Sequence, residues 1–99
     1  AIQALFGRHA YNISLTSSKS MMGHLLGGSG AVEAIISLLS MQHSMVTPTI
    51  NHEEGDEDPK IDYKLNFTFN QAQSRDIHYA MSNNFGFGGH NACLLFKKL

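Results

Sequence analysis

The sequence predicts an α/β fold in which short strands surround one strongly apolar helix. Residues 11–16 and 63–69 alternate apolar with polar side chains, as half-buried strands do, and residues 77–82 and 92–97 are two further strand candidates. Residues 31–45 combine helix formers with apolar side chains and predict a helix of about four turns. A strand, a glycine-rich connection and then a helix is an order that recurs in α/β proteins.

The apolar helix predicts that this chain is part of a larger body. Residues 31–45 are apolar nearly all round, which is typical of a helix that is buried on most sides. A 99-residue domain can hardly bury such a helix alone. The first residue is not methionine, and Ile2, Leu5 and Phe6 lie at the spacing of a helix that ends at Gly7. We therefore expect a piece of a longer protein.

The segments between these elements are predicted to be irregular. Pro48 stops the helix and favours an extended segment over residues 46–51. Residues 52–62 are acidic and predict a solvated loop, and residues 71–76 predict a polar turn. Residues 83–91 contain the sequence Gly-Phe-Gly-Gly, which disfavours both a helix and a central strand and predicts a glycine-rich loop.

Composition excludes several classes of function. The net charge is −1 and charged residues make up only 15%, so the chain has no basic patch for nucleic acid or for an anionic membrane surface. The apolar run over residues 34–39 is too short to cross a bilayer, and no signal peptide is visible. The single cysteine, Cys93, rules out an internal disulfide and is expected to be a small buried strand residue rather than a nucleophile.

The stretch most suggestive of chemistry runs from Lys19 to Glu33 and places a cation, an imidazole and a carboxylate along a glycine-rich segment. A neutral His24 near a helix N-terminus would donate a hydrogen bond and stabilise negative charge on a carbonyl oxygen. A buried Glu33 carboxylate would need a partner, which Lys19 would supply. Ordinary packing of His24 and a purely structural ion pair are the alternatives.

Two other kinds of site are disfavoured by motif spacing. The glycines at residues 27–30 are followed by no Gly-Lys-Ser/Thr sequence and form no Gly-x-Gly-x-x-Gly motif, so nucleotide binding is not supported. The six histidines show no His-x-x-x-His spacing of the kind that metal sites use. They are His9, His24, His43, His52, His78 and His90.

Two motifs in order carry a family resemblance. Residues 18–27 (SKSMMGHLLG) with Glu33, followed by residues 83–89 (NNFGFGG), closely resemble the C-terminal part of β-ketoacyl-[acyl-carrier-protein] synthases, most nearly the synthase II type. This resemblance implies a thiolase-like fold with α-β-α-β-α layers, mixed sheets and a buried central helix. Residues 1–99 would then be a partial, C-terminal thiolase-like ketosynthase domain.

The resemblance implies an acyltransferase of fatty acid elongation, which performs a decarboxylating Claisen condensation of an acyl thioester with malonyl-acyl carrier protein. Its partners would be acyl- and malonyl-loaded acyl carrier protein, in a cytoplasmic homodimer without a cofactor. The nucleophilic cysteine and the first catalytic histidine of this family lie upstream, so the isolated chain is expected to be inactive. A polyketide ketosynthase domain and a non-catalytic chain-length or scaffold partner are the alternatives.

By position, His24 resembles the second catalytic histidine, which would donate a hydrogen bond to the malonyl thioester oxygen. Lys19 resembles the active-site lysine that organises the charge of the site, with Glu33 as its carboxylate partner. Phe87 resembles the gating phenylalanine, whose backbone N–H would form half of an oxyanion hole. Glu33 and Ser82 resemble residues near a monovalent cation.

The loop around Phe87 would contact substrate and allow the gate to move, because glycine permits large backbone changes. The substrate-binding residues implied there are Phe85, Gly86, Gly88 and Gly89. The chain departs from the usual pattern at four positions. Gly28 and Ser29 stand where two small residues, often alanine, are usual, and this change is expected to be harmless. Asn84 stands where a small serine or threonine is usual, and His90 stands where threonine is usual.

Overall fold

A computed structural model describes all 99 residues of the chain, from Ala1 to Leu99. The helices are α1 (Ile2–Phe6), α2 (Lys19–Met22) and α3 (Ser29–His43), and 3₁₀ turns span Gly7–Asn12 and Leu26–Gly28. The strands are β1 (Met45–Val46), β2 (Gln73–Ser74), β3 (Tyr79–Gly86) and β4 (His90–Lys97). None of the helices combines the length and the hydropathy needed to span a membrane.

The strands form two small antiparallel pairs. β1 pairs with β2, and β3 pairs with β4 in a hairpin whose register runs from Tyr79 opposite Lys97 to Gly86 opposite His90. Parallel pairing within this chain is limited to two isolated bridges, between Ser14 and Asn66 and between Thr49 and Phe69. The chain therefore has the predicted α/β character, with α3 packed against β3 and β1.

The long helix begins two residues before its predicted start and ends two residues before its predicted end. Ser44 adopts the left-handed conformation (φ 50°, ψ 46°), and its N–H donates to the carbonyl of Ser40. This residue, rather than Pro48, turns the chain out of the helix, and β1 follows at once. A left-handed residue just past the last turn is a common helix ending because it satisfies a terminal carbonyl.

Much of the apolar surface of α3 is exposed in this chain. Ile35, Leu38 and Leu39 are 56%, 48% and 46% exposed, whereas Met41 is buried. The buried apolar residues of the whole chain number four, namely Ala10, Met41, Val46 and Leu65. An exposed apolar helix face of this kind marks an interaction surface. It agrees with the expectation that these 99 residues cannot bury the helix alone.

The first predicted strand is wrong. Gly7 does follow α1 with a positive φ of 54°, as predicted, but Gly7–Asn12 continues as a 3₁₀ turn. Over residues 11–16, strand-like pairing is limited to the bridge of Ser14 with Asn66, beside which the Leu15 N–H donates to the Asn66 carbonyl. The alternation over these six residues does not correspond to a half-buried strand, since the Tyr11 side chain is exposed and its hydroxyl donates to Asp62.

The strand predicted over residues 63–69 is also wrong. Thr68 has a φ of 53°, which interrupts an extended strand, and the Asn66 side chain accepts a hydrogen bond from the Thr68 N–H. The aromatic side chains instead stack on one another, with the rings of His52 and Phe69 centred 3.9 Å apart. The alternating aromatic residues of this segment therefore belong to a cluster of stacked rings and not to a strand. The predicted acidic loop over residues 52–62 is confirmed as irregular and mostly exposed.

The final hairpin is longer than predicted, and the loop inside it is shorter. The glycine-rich loop predicted over residues 83–91 shrinks to the turn 87–89, because β3 continues to Gly86 and β4 begins at His90. Part of the predicted turn over residues 71–76 forms β2. Cys93 does lie in a strand, but it is exposed rather than buried, since this face of β4 is uncovered.

Candidate functional site

The Lys19 ammonium and the Glu33 carboxylate form an ion pair between the start of α2 and the first part of α3. The Glu33 side chain is 10% exposed and the Lys19 side chain is 32% exposed. Lys19 begins a short helix within the segment that the sequence predicts to be a glycine-rich connection. The predicted pairing of these two side chains is present, and it compensates a carboxylate that is largely removed from water.

Hydrogen bonds from a neighbouring segment hold α2 in position. The Ser17 N–H donates to Thr49 Oγ1 at 2.8 Å, and the Ile50 N–H donates to Ser20 Oγ at 3.0 Å. Lys19 lies between the two anchored serines, so the extended segment after α3 fixes the backbone that carries it. The roles of Thr49 and Ser20 could not be predicted from the sequence, because no local pattern links residues about thirty positions apart.

His24 is exposed, and its Nδ1 atom accepts a hydrogen bond of 2.9 Å from the Leu26 N–H. A backbone N–H is only a donor, so Nδ1 carries no proton and the neutral ring carries its proton on Nε2. Leu26 adopts a φ of 50°, which is a costly conformation for leucine. In this conformation its N–H donates to Nδ1 of the imidazole. The arrangement leaves Nε2–H available as a hydrogen-bond donor.

Phe87 lies at the tip of the β3–β4 hairpin and is almost fully exposed, at 99%. Gly88 and Gly89 follow it with φ values of +83° and +84°, which residues with side chains rarely adopt. Gly86 precedes it as the last residue of β3, opposite His90. Phe85, one residue earlier in the strand, is also exposed. The predicted gate residues are thus brought together at one turn.

Three of the predicted site residues line one open cleft of about 800 Å³ between the N-terminal segment, α3 and β3. They are Lys19, Glu33 and Ser82. His24 and Phe87 are not part of its lining, and the hydrogen bonds of His24 are separate from the Lys19–Glu33 pair. Within this chain the candidate residues therefore form three local groups: the ion pair, the His24 turn and the hairpin tip.

The fit of Glu33 and Ser82 to a monovalent cation is poor in this chain. Both residues are 9% exposed, and they lie on α3 and β3, which pack together. However, Glu33 Oε1 is already engaged by the Lys19 ammonium, so the buried negative charge needs no further cation for balance. No three His, Cys, Asp or Glu side chains are grouped closely enough to hold a metal ion.

Comparisons with known proteins agree with the two motifs. The family description "Beta-ketoacyl synthase, C-terminal domain" matches residues 1–53. The 3-oxoacyl-[acyl-carrier-protein] synthase 2 of Synechocystis sp. is 47% identical over 98 residues, and that of Staphylococcus aureus strain COL is 52% identical over 98 residues. Both comparisons cover 99% of this chain and 23% of the relative, so the chain spans about a quarter of the length of these proteins.

A solved structure shows the same fold. A ketosynthase of a type II polyketide synthase, determined with its acyl-carrier protein and bound to a hexaketide, superposes with a TM-score of 0.86 at 31% identity. The match covers 99% of this chain and 23% of that one. The predicted thiolase-like α/β fold and the resemblance to the synthase II type are both confirmed. The chain belongs to the β-ketoacyl synthase family, and its residues 1–53 match the C-terminal domain of that family.

Proposed function

We propose that the whole protein containing these residues is a 3-oxoacyl-[acyl-carrier-protein] synthase, an acyltransferase of fatty acid elongation. In this proposal the chain supplies His24, the Lys19–Glu33 pair and the Phe87 turn, and the nucleophilic cysteine comes from another part of the protein. The names and the identities of the relatives from Synechocystis sp. and Staphylococcus aureus support this activity. Acyl carrier protein is the proposed partner, in a cytoplasmic homodimer.

The observation that carries the proposal is the hydrogen bond from the Leu26 N–H to His24 Nδ1, which determines the tautomer of the ring. When malonyl thioester loses carbon dioxide, the electron pair of the broken C–C bond passes into an enolate whose charge lies on the thioester oxygen. A donor fixed at that oxygen stabilises the charge as it develops. Because Nδ1 accepts the Leu26 N–H, the proton of the neutral ring is held on Nε2, where it can serve as that donor.

The remaining residues have supporting roles in the proposal. The enolate carbon attacks the acyl thioester, a new C–C bond forms, and the cysteine thiolate leaves. The Phe87 backbone N–H would stabilise the oxyanion of that step, and the exposed Phe87 ring would move at the flexible turn to admit acyl chains. Lys19 would keep its charge beside Glu33 and fix the electrostatics of the site.

His24→Ala in the whole protein tests this role. We expect malonyl-acyl carrier protein decarboxylation to fall by about 100-fold or more, since one oxyanion donor is lost, while acylation of the cysteine is retained. The matched control is His43→Ala, which removes another exposed imidazole, at the end of α3. The two half-reactions are measured separately, by carbon dioxide release and by the mass of the acylated protein. Full decarboxylation by His24→Ala would disprove the assigned role.

A second candidate function is chain building in polyketide synthesis, favoured by the 31% identity with the polyketide ketosynthase. Mass spectrometry of the products separates the two. An elongation synthase adds one two-carbon unit and forms a single 3-oxoacyl thioester, whereas a polyketide synthase adds several units without reduction. A non-catalytic chain-length or scaffold partner would show no acylated cysteine in the same experiment.

A further inference from the structure

Ser29 is the first residue of α3 and is almost completely buried, with 1% of its surface exposed. Its hydroxyl contacts two groups of the preceding turn. Oγ accepts a hydrogen bond of 2.8 Å from the Leu25 N–H, and it lies 3.0 Å from Nδ1 of His24. The family resemblance predicts that serine here is a harmless small residue, but its side chain contacts the imidazole of His24.

The direction of these hydrogen bonds follows from the available protons. The Leu25 N–H is only a donor, so it occupies a lone pair of Ser29 Oγ and leaves the hydroxyl proton free. His24 Nδ1 is an acceptor, because the Leu26 N–H donates to it as well. The Ser29 hydroxyl therefore donates to Nδ1, and the single lone pair of this ring nitrogen is shared between a backbone donor and a buried side-chain donor.

We propose that Ser29 is a positioning residue for His24, which fixes the rotation of the imidazole and, together with the Leu26 N–H, keeps its proton on Nε2. This inference rests on the proposed role of His24 as a donor to the thioester oxygen. His24 itself is exposed, so little packing restrains its ring. Ser29 is anchored at the start of a 15-residue helix and is held by Leu25 on its other side, which makes it a rigid point of attachment.

The test compares Ser29→Ala with a matched control in the whole protein. Alanine is the best helix former, so the variant is expected to fold with α3 intact. Ser37→Ala is the control, because it removes a hydroxyl from the same helix that only donates back to the Glu33 carbonyl at 2.9 Å. We expect Ser29→Ala to lower the maximal decarboxylation rate by roughly threefold to tenfold, the loss of one hydrogen bond. KM and cysteine acylation remain unchanged, and Ser37→Ala behaves as wild type.

The second readout is independent of activity. With ¹⁵N-labelled histidine, the His24 resonances are assigned by their loss in His24→Ala. In wild type we expect an unprotonated Nδ1 and a protonated Nε2. In Ser29→Ala the Leu26 N–H still favours this tautomer, but the Nδ1 resonance is expected to shift toward that of a less strongly hydrogen-bonded nitrogen, because the Ser29 donor is lost. Wild-type rate and wild-type nitrogen shifts in Ser29→Ala would overturn the inference. If His24→Ala itself retains decarboxylation, the proposed function fails, and the nitrogen shifts still decide whether Ser29 positions the ring.

Discussion

Lys19 and Glu33, fourteen residues apart in the chain, form an ion pair that joins α2 to α3. The two partners differ in their access to water, since the Glu33 side chain is 10% exposed and the Lys19 side chain is 32% exposed. A lysine with access to solvent can turn its ammonium into water when its partner is lost. A carboxylate that is buried in the fold cannot be rehydrated in this way. The pair is therefore asymmetric in what each residue contributes to stability.

Lys19→Met is expected to destabilise the protein by about 2 kcal/mol, because it leaves the Glu33 carboxylate buried without a partner. Glu33→Gln is expected to cost about 1 kcal/mol, since Lys19 reaches water and the amide remains polar. The double variant should lose less than the sum of the two. Urea unfolding of the whole protein measures all three variants. Equal and additive losses would contradict the asymmetry.

An exposed ion pair provides the control for this cycle. Lys98 contacts Asp76 at 3.4 Å, with side chains 43% and 63% exposed. Lys98→Met is expected to change the free energy of unfolding by less than about 0.5 kcal/mol, as is usual for surface pairs. A loss as large as that of Lys19→Met would mean that removal of any lysine, rather than burial of the carboxylate, causes the effect.

The sequence allowed prediction of those features that depend on neighbouring residues or on charge balance. The apolar run predicted α3, the glycine after Phe6 predicted the end of α1, and the need of a buried carboxylate for a partner predicted the Lys19–Glu33 pair. The order of the two motifs predicted the family. These signals are local or chemical, so they do not require knowledge of the tertiary contacts.

The features that could not be predicted depend on side-chain hydrogen bonds and on unusual backbone conformations. Asn66 accepts from the Thr68 N–H and exchanges hydrogen bonds with the Gln73 amide, which takes the place of a continuous strand. Ser44 ends α3 in a left-handed conformation that most sequences reserve for glycine or asparagine. The hydroxyl of Ser29 contacts His24 only because a 3₁₀ turn brings the helix start back to the imidazole.

The hairpin tip gives a prediction that separates backbone conformation from added bulk. Gly88 has a φ of +83°, whereas the backbone of Gly86 does not lie in this left-handed region. A Cβ atom at either position would be 3.7 Å or more from its nearest neighbours, in ordinary contact with His90. Gly88→Ala is therefore strained by its conformation alone, at a cost of about 1 kcal/mol, and Gly86→Ala is its matched control.

If the turn carries the moving gate, Gly88→Ala should slow turnover with long acyl chains by roughly threefold to tenfold, because the turn shifts away from its present conformation. Gly86→Ala should remain within about twofold of wild type, since its strand backbone accepts alanine. Steady-state kinetics with short and long acyl-carrier-protein substrates measure both. The same loss in the two variants would show that bulk, and not the positive φ, matters at this tip.

The Tyr11 hydroxyl donates a hydrogen bond of 2.5 Å to the Asp62 carboxylate. This bond shifts the pKa values of the two groups in opposite directions. The hydrogen bond from Tyr11 lowers the pKa of Asp62, with help from the Lys64 N–H, because it stabilises the ionised carboxylate. The hydrogen bond to Asp62 raises the pKa of Tyr11, because ionising the phenol would break it and place two negative charges together. The pair therefore links the 3₁₀ turn to the end of the acidic loop over a defined range of pH.

The signs give the pH window for Tyr11→Phe. A lowered carboxyl pKa stabilises the fold above about pH 4, and this contribution is lost as the pH falls through the lowered value. A raised phenol pKa stabilises the fold below about pH 10, and that contribution is lost as the pH rises through the raised value. Urea midpoints of wild type and Tyr11→Phe should therefore differ most near neutral pH and converge at both extremes. Tyr79→Phe, on the exposed side of β3, is the control for removal of a tyrosine hydroxyl elsewhere in the chain. A constant difference between wild type and Tyr11→Phe over the whole pH range would refute the linkage.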